Sequence, residues 1–481
     1  MTNLPSDFTV TSLAREKAEQ RRWQLHQCFR GLNQFDRLLA NEFLEPKQQQ
    51  VLQDRSLCMM INHAVTHVPY YAKLFTDRGL TGAKILGVTD LTFLPILSKN
   101  ELRRKSSELT AAVLPPGHQP GAATQSSGTT GQPVRVRQTR QSMAMFCQLK
   151  QRELRWFRFD PRATLAVIRL PSQLPLTPER QPLSLGQTLN LPAWPLVGSF
   201  FQTGLACCFS VFNQVDRQAE WLDRLRPEYL MSYPETFEHL SFAFQNRPKP
   251  NYSLGLLAIS EQLTVGMRRR IATTFSAPLQ QNYGLNEIGI VASRCPEGGR
   301  YHVHTEHCLV EIVDDNGQPC RPGETGRILV TTLTNSAMPL IRYDTGDLAE
   351  ATDGTCPCGR SLPTFGEIKG RYSRIAFLPE NTLSYVGAIR QALEEMPPEI
   401  SANLRLFQLH QFLDQGFELR LVAPGGLPPI FAERINTAWR AKLAGADLSL
   451  RLLEVDHISR GPSGKFQDFT SDFFPPPEGD E

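Results

Sequence analysis

The chain is organised around a short polar stretch, Gln125-Ser126-Ser127-Gly128-Thr129-Thr130-Gly131-Gln132-Pro133. Glycine has no Cβ and reaches positive φ values, so the backbone N–H groups of such a stretch can converge on an anion. The hydroxyl groups of Ser and Thr add further donors, and this combination is suited to wrapping phosphates. The stretch is not a Walker A loop, because no lysine follows its second glycine. A flexible polar connector is the alternative interpretation.

Length and composition describe a globular protein with more than one domain. The chain has 481 residues, of which 41% are hydrophobic and 21% are charged, and its formal net charge is only +3. A chain of this length favours two or three domains. The small net charge gives no support for a nucleic-acid partner. The apolar runs are shorter than the ~20 residues that a membrane-spanning helix needs, so we expect no membrane partner.

The N-terminal segment and the cysteines bear on location. Residues 1–10 are polar and lack the apolar core of a secretory signal. We therefore expect a cytoplasmic protein, in which the 10 cysteines are reduced thiols or bind a metal rather than form disulfides.

The middle of the chain alternates between extended and helical patterns. We predict strands at 164–168, 229–233 and 256–260, and helices at 219–225, 236–244 and 264–275. This order is typical of a parallel sheet flanked by helices. A further strand is expected to end at Asn282, directly before Tyr283-Gly284-Leu285-Asn286-Glu287. Ligands collect at the carboxyl ends of parallel strands, where this segment and the Ser260-Glu261 turn would lie.

Short β segments follow, and they give way to a second domain. We predict strands at 308–313, 326–332 and 340–343, and an irregular excursion at 171–195. Lys369-Gly370-Arg371 marks a junction. The fold class is therefore α/β, with a large domain of parallel sheets, helices and a small β subregion over 1–369. A small α+β domain is expected over 370–481.

Four residues offer the donors of a structural zinc site. Cys356 and Cys358 would supply two thiolates from one tight turn, and Cys295 and His302 a third thiolate and an imidazole. This is the Cys₃His set that structural zinc favours. His304 and Cys308 are competing candidates. The alternative is a group of reduced thiols that bind no metal.

Four segments occur in a fixed order along the chain: Ser126 to Gly131, Tyr283 to Glu287, Arg342-Tyr343-Asp344-Thr345-Gly346-Asp347, and Gly461-Pro462-Ser463-Gly464-Lys465. Their order and spacing resemble the adenylate-forming superfamily of acyl-CoA synthetases, luciferases and peptide-synthetase adenylation domains, and in particular its phenylacetate–CoA ligase branch. The segments 68–71, 94–102 and 356–360 are also similar to that branch. The resemblance extends from about residue 55 to Lys465, and members of the branch can carry a Cys/His cluster with a histidine at the position of His302.

The resemblance implies an ATP site built from these segments. The stretch from Ser126, Ser127 and Gly128 to Thr129, Thr130 and Gly131 would embrace the β- and γ-phosphates. Tyr283, with Gly284 and Asn286 in the same segment, would lie against the nucleotide and present its ring to the adenine. Asp347 would accept hydrogen bonds from the ribose hydroxyls.

The resemblance also implies the groups that act on the reacting phosphate. Glu287 would hold Mg²⁺, which takes oxygen ligands and bridges substrate phosphates. Arg371 would approach the ribose or a phosphate from the domain junction. Lys465 would be carried by a mobile C-terminal domain and would stabilise charge on the α-phosphate while a carboxylate attacks.

The acid substrate is expected to lie between Tyr233, the Ser260-Glu261 turn and Tyr283. The resemblance implies a carboxylic acid of the aryl or arylalkyl class, which is activated as an acyl-adenylate and transferred to CoA. A homodimer is common among similar proteins.

Two departures from the family pattern concern the acceptor. The stretch from Tyr372 to Pro379 lacks the acidic residues and the glycine that many relatives have there, and Asn286 replaces a small hydroxyl residue. The alternatives are therefore transfer to a carrier-protein phosphopantetheine or to an amine. A third alternative is a non-catalytic, zinc-stabilised binding protein with the same fold.

Overall fold

A computed structural model of the protein describes residues 34–80, 82, 85, 87–125, 134–245, 254–261, 263, 265–354, 356–371, 389, 392–393, 396–401, 403–414, 416–442, 449–458 and 469–472. The predicted phosphate stretch from Ser126 to Gly131 lies outside the described residues, and so do Lys465 and the side chain of Arg371.

The described helices are α1 (Gln34–Asn41), α2 (Pro46–His67), α3 (Pro69–Asp77), α4 (Lys99–Arg104), α5 (Arg140–Trp156), α6 (Val215–Leu225), α7 (Pro234–Gln245), α8 (Val265–Phe275), α9 (Pro398–Ser401) and α10 (Pro429–Lys442). The described strands are β1 (Pro120–Gln125), β2 (Arg135–Thr139), β3 (Leu165–Arg169), β4 (Thr188–Leu191), β5 (Ala206–Ser210), β6 (Tyr229–Ser232), β7 (Gly255–Ala258), β8 (Leu279–Leu285), β9 (Gly289–Arg294), β10 (Tyr301–Val303), β11 (Cys308–Val313), β12 (Thr325–Thr332), β13 (Tyr343–Ala351), β14 (Thr364–Arg371), β15 (Leu406–Gln411), β16 (Phe417–Val422), β17 (Leu450–Glu454) and β18 (Phe469–Ser471).

A 12-stranded sheet runs through the large domain in the order β11-β12-β13-β14-β10-β9-β8-β7-β6-β3-β5-β4. The strands β5, β3, β6, β7 and β8 are parallel to one another. From β8 to β11 each neighbouring pair is antiparallel. The predicted α/β class, with a parallel sheet followed by a β subregion, is confirmed.

Both faces of the parallel half are buried. Along β3, Ala166 and Ile168 pack into a core formed with α6, α7 and α8. Leu165 and Val167 point to the other face and pack into a core that includes Leu154 of α5. Because neighbouring side chains of a strand alternate between faces, a strand covered on both sides becomes an uninterrupted apolar run.

The small domain has its own sheet and core. Its 4-stranded sheet has the order β17-β16-β15-β18, and Leu409, Leu419, Phe431 and Trp439 are buried together against it. A small C-terminal α+β domain is thus confirmed. The strand β14 continues to Arg371, two residues beyond the predicted division at 369/370, and that division stays a prediction.

Two local predictions were wrong. The excursion at 171–195 is not wholly irregular, because β4 lies within it and pairs with β5. The strand predicted at 340–343 begins only at Tyr343. Arg342 has a φ of 49°, and a residue in this left-handed conformation cannot continue an extended strand.

The side chain of Arg342 explains why this conformation is kept. Its guanidinium pairs with Glu311 at 3.0 Å and donates to the carbonyl oxygens of Leu94 at 2.8 Å and Gly317 at 3.1 Å. The backbone N–H of Leu97 donates to the Arg342 carbonyl at 3.0 Å. Arg342 therefore fixes the start of β13 to the segment that precedes α4.

None of the helices among the described residues has the length and apolar content to cross a membrane.

We expect Arg342→Ala to lower the free energy of unfolding by about 3 kcal/mol, because it leaves the largely buried Glu311 carboxylate without its partner. Urea denaturation of the full chain measures the change. Arg104→Ala, which removes an exposed arginine of α4, is the matched control and should change stability by less than about 0.5 kcal/mol. Equal stabilities of the two variants would contradict the role of Arg342.

Candidate functional site

The two strands that bracket the polar stretch are held by the segment after β8. The hairpin β1–β2 pairs Gln125 with Arg135 at the ends that flank this stretch. Asn286 donates from Nδ2 to the carbonyl oxygen of Gln125 at 3.0 Å, and Gln138 of β2 donates from Nε2 to the carbonyl oxygen of Glu287 at 3.2 Å. The amide of Asn286 thus reaches the start of the polar stretch.

Gly284 allows β8 and β9 to approach each other closely at this point. A Cβ at position 284 would lie 2.6 Å from the carbonyl oxygen of Gly289. Any larger residue would therefore push the two strands apart and displace the Asn286-Glu287 turn.

Tyr283 and Asp347 meet although their strands are not neighbours. The Tyr283 hydroxyl donates to Oδ2 of Asp347 at 2.9 Å, and each residue is 7% exposed. In the sheet order, β8 and β13 are four positions apart, which is ~19 Å across a flat sheet. The antiparallel half must therefore bend. Phe365 of β14 fills the bend, since its ring lies 6.0 Å from the Tyr283 ring and stacks on Tyr301 at 5.2 Å.

Glu287 lies in a buried position beside a lysine. Its carboxylate is 3.5 Å from the ammonium group of Lys99 and accepts from the Tyr343 hydroxyl at 3.5 Å. Glu287 is 4% exposed, whereas the Lys99 side chain is 32% exposed. Mg²⁺ commonly takes one or two carboxylates and completes its shell with water and phosphate oxygens. The carboxylate of Glu287 fits that use.

No sequence motif pointed to Lys99. Ser98 caps the N-terminus of α4, because its hydroxyl accepts a hydrogen bond from the Glu101 N–H at 3.1 Å. This cap places Lys99 in the first turn of α4. The parallel bridge between Leu97 and Tyr343 then holds that turn against β13.

The remaining predicted nucleotide ligands are only partly described. Arg371 is the backbone partner of Asp347 in the β13–β14 ladder, so the two positions are adjacent. The role of the Arg371 side chain stays a prediction. The roles of the 126–131 stretch and of Lys465 also stay predictions.

The predicted acid-binding residues lie at the ends of β6 and β7. Tyr233 is fully buried, and its hydroxyl donates to Oε1 of Gln173 at 2.6 Å. Ser260 has a φ of 68°, and the Glu261 N–H donates to the Ile259 carbonyl at 2.8 Å. A non-glycine residue in this region is uncommon and often marks a functional turn. The substrate roles of Tyr233, Ser260 and Glu261 stay predictions.

The four predicted zinc ligands come together. One donor atom from each of Cys295, His302, Cys356 and Cys358 lies within 4.8 Å of the others. Cys295 follows β9, His302 belongs to β10, and the two other cysteines lie between β13 and β14. Three thiols and one imidazole in a closed group fit a structural zinc ion.

The hydrogen bonds favour His302 over His304 as the imidazole ligand of the cluster. His302 directs Nδ1 to the carbonyl oxygen of Leu362 at 3.1 Å, which leaves Nε2 facing the Cys358 sulfur at 3.3 Å. Burial lowers the pKa of His302 to about 4, so its imidazole is neutral and can act as a ligand. Both nitrogens of His304 are occupied, Nε2 by the Ser293 hydroxyl at 2.8 Å and Nδ1 by the guanidinium of Arg152.

The thiols of the cluster differ in acidity. Burial raises the pKa of Cys295 to about 12. Burial also opposes ionisation of Cys358, but hydrogen bonds from Arg360 and the neighbouring thiols lower the pKa of Cys358 below its usual value. The backbone N–H groups of Gly298 and Arg360 point at the sulfurs of Cys295 and Cys358 at 3.2 and 3.4 Å. Such bonds support thiolate ligands.

A family profile and the similar curated proteins point to the same kind of protein. The sequence profile of the family described as "AMP-binding enzyme" matches residues 45–336, which is more than half of the chain. The chain is 27% identical over 373 residues to the phenylacetate-coenzyme A ligase of Thermus thermophilus, with 76% of this chain and 80% of that protein covered. It is 26% identical over 348 residues to the phenylacetate-coenzyme A ligase of Escherichia coli, with 69% and 75% covered.

A solved structure shares the fold. It is 2-hydroxyisobutyryl-CoA ligase in the postadenylation state in complex with R3-HIB-AMP, with a TM-score of 0.70 and 17% sequence identity. The likeness covers 90% of this chain and 91% of that chain.

Protein purified without added metal is expected to contain close to one zinc ion per chain. Cys358→Ser should remove most of this zinc and lower the melting temperature, because structural zinc contributes folding free energy. Elemental analysis by mass spectrometry and thermal unfolding measure the two effects. Cys320→Ser is the matched control, since Cys320 is a partly buried cysteine outside the cluster. A zinc content near zero in the unmodified protein would remove the assignment.

Proposed function

The chain belongs to the AMP-binding enzyme family, and on that premise we propose that it uses ATP and Mg²⁺ to activate a carboxylic acid as an acyl-adenylate, and then transfers the acyl group to CoA. The observation that carries the proposal is that the segment 283–287 contacts both the segment 342–347 and the strand that leads into the polar stretch. Asn286 holds the strand that enters the polar stretch, and Tyr283 holds Asp347.

In the first step a carboxylate oxygen of the acid attacks the α-phosphorus of ATP. The bond between the α-phosphorus and the bridging oxygen breaks, and pyrophosphate leaves. A carboxylate is already ionised at pH 7, so the step needs no general base. It needs positive charge around the phosphates, and Lys99 and Lys465 would supply it together with Mg²⁺ held by Glu287. Mg²⁺ would neutralise the phosphate charge when bound.

In the second step the thiol sulfur of CoA attacks the acyl carbon. The bond to the AMP oxygen breaks, AMP leaves with the electron pair, and the thiol proton is released. The relatives named as phenylacetate-coenzyme A ligases support CoA as the acceptor and an aryl or arylalkyl acid as the substrate. The stretch 372–379 lacks the acidic residues and the glycine that many relatives have there. A carrier protein and an amine are therefore the alternative acceptors to test.

Pyrophosphate exchange across a panel of acids should show ATP-dependent exchange with at least one aryl or arylalkyl carboxylate. Adding CoA should then release AMP and form a thioester, which mass spectrometry detects. Lys465→Ala should slow the adenylation step by ~10²–10³ while leaving ATP binding nearly unchanged, because one transition-state contact is lost. An absence of exchange with every acid, together with no thermal shift by ATP, would favour the non-catalytic alternative.

Lys99→Ala is expected to slow adenylation roughly tenfold, because it removes a partly exposed cation beside the metal-binding carboxylate. Pre-steady-state pyrophosphate release measures this step. Lys73→Ala, which removes an exposed lysine of α3, is the matched control and should leave the rate unchanged. A Lys99→Ala rate equal to that of the control would exclude Lys99 from the phosphate site.

A further inference from the structure

The Tyr283 hydroxyl makes a hydrogen bond that stacking of the ring on an adenine would not require. Stacking on an adenine needs only a π face, which phenylalanine also offers. Here the hydroxyl donates to Oδ2 of Asp347 at 2.9 Å, and both groups are largely buried. A hydrogen bond to a carboxylate is shorter and stronger than one between neutral groups.

We propose that the Tyr283 hydroxyl is a positioning group that orients the Asp347 carboxylate and thereby sets the selectivity of the site for the ribose hydroxyls of ATP. The inference rests on the proposed function, in which Asp347 accepts hydrogen bonds from the ribose. An ionised carboxylate offers about four lone-pair positions. The Tyr283 hydroxyl uses one of them and so restrains the rotation of the carboxylate before the nucleotide binds.

The surroundings hold both partners in place. The Phe365 ring lies at 87° to the Tyr283 ring and is itself stacked on Tyr301 with an interplanar angle of 6°. On the other side, the backbone N–H of Asp347 donates to the hydroxyl of Thr345 at 3.2 Å. Neither partner has to be ordered when the nucleotide arrives, and such preorganisation lowers the entropic cost of binding.

A purely structural role for the Tyr283–Asp347 bond has a different consequence. Loss of the hydroxyl would then weaken the binding of every nucleotide equally, or would lower stability alone. A positioning role predicts instead that the loss depends on whether the nucleotide has ribose hydroxyls.

The test compares ATP with 2′-deoxyATP and 3′-deoxyATP on the full chain, by calorimetry, for the unmodified protein and Tyr283→Phe. The unmodified protein should bind ATP more tightly than at least one deoxynucleotide. Tyr283→Phe should reduce this preference about tenfold, the size expected for one hydrogen bond to a charged group. Tyr301→Phe removes a buried hydroxyl from the same aromatic stack and should leave the preference unchanged.

Asp347→Asn provides the second variant. It should lose the same preference, and adding Tyr283→Phe to it should cause no further loss, since the hydroxyl acts only through the carboxylate. An unchanged preference in Tyr283→Phe, with ATP still bound by the unmodified protein, overturns this inference alone. A failure of the unmodified protein to bind any of the three nucleotides overturns the proposed function as well.

Discussion

The bend of the antiparallel half of the sheet is the constraint on which the proposed nucleotide site depends. In a flat sheet the strands of Tyr283 and Asp347 would be ~19 Å apart, and their side chains could not meet. Stacked aromatic rings fill the inside of the bend. The Cys/His cluster takes its donors from the end of β9, from β10 and from the connection between β13 and β14. A metal ion bound there would brace the strands that lie between the two site residues.

A buried carboxylate connects this cluster to the rest of the domain. Glu42, which follows α1 and is 3% exposed, accepts from the Trp156 indole at 2.9 Å and from the Arg360 guanidinium at 3.1 Å. Burial raises the pKa of Glu42, and the charges of Arg152 and Arg360 oppose this shift. Trp156 ends α5, and the first residue of α5 follows β2 of the hairpin. One helix of 17 residues, ~25 Å long, therefore runs from the Cys/His cluster to the hairpin that flanks the polar stretch.

The charges of the site suit phosphate chemistry better than acid–base catalysis. Glu287 is buried beside a cation, Lys99, and Asp347 is engaged by a phenol rather than by an imidazole. Burial and the neighbouring guanidinium charges lower the pKa of His302 and His304 and hold both imidazoles neutral, and His302 faces the Cys358 sulfur. Adenylation of a carboxylate requires neutralised phosphates and an oriented nucleotide, and these are the roles proposed for Lys99, Glu287 and Asp347.

The sequence alone determined the fold class, the order of the motifs and the identity of four possible zinc ligands, because periodicity, spacing and residue chemistry are local properties. It could not decide between His302 and His304, which are only two positions apart; Ser293 and Arg152 occupy His304 through contacts that exist only in the folded sheet. The late start of β13, the place of Lys99 beside the Glu287 carboxylate and the bond between Tyr283 and Asp347 were likewise decided by tertiary structure. Each depends on groups that are distant in sequence and become neighbours only in the folded chain, and the bond between Tyr283 and Asp347 also requires the bend of the sheet, which no local pattern encodes.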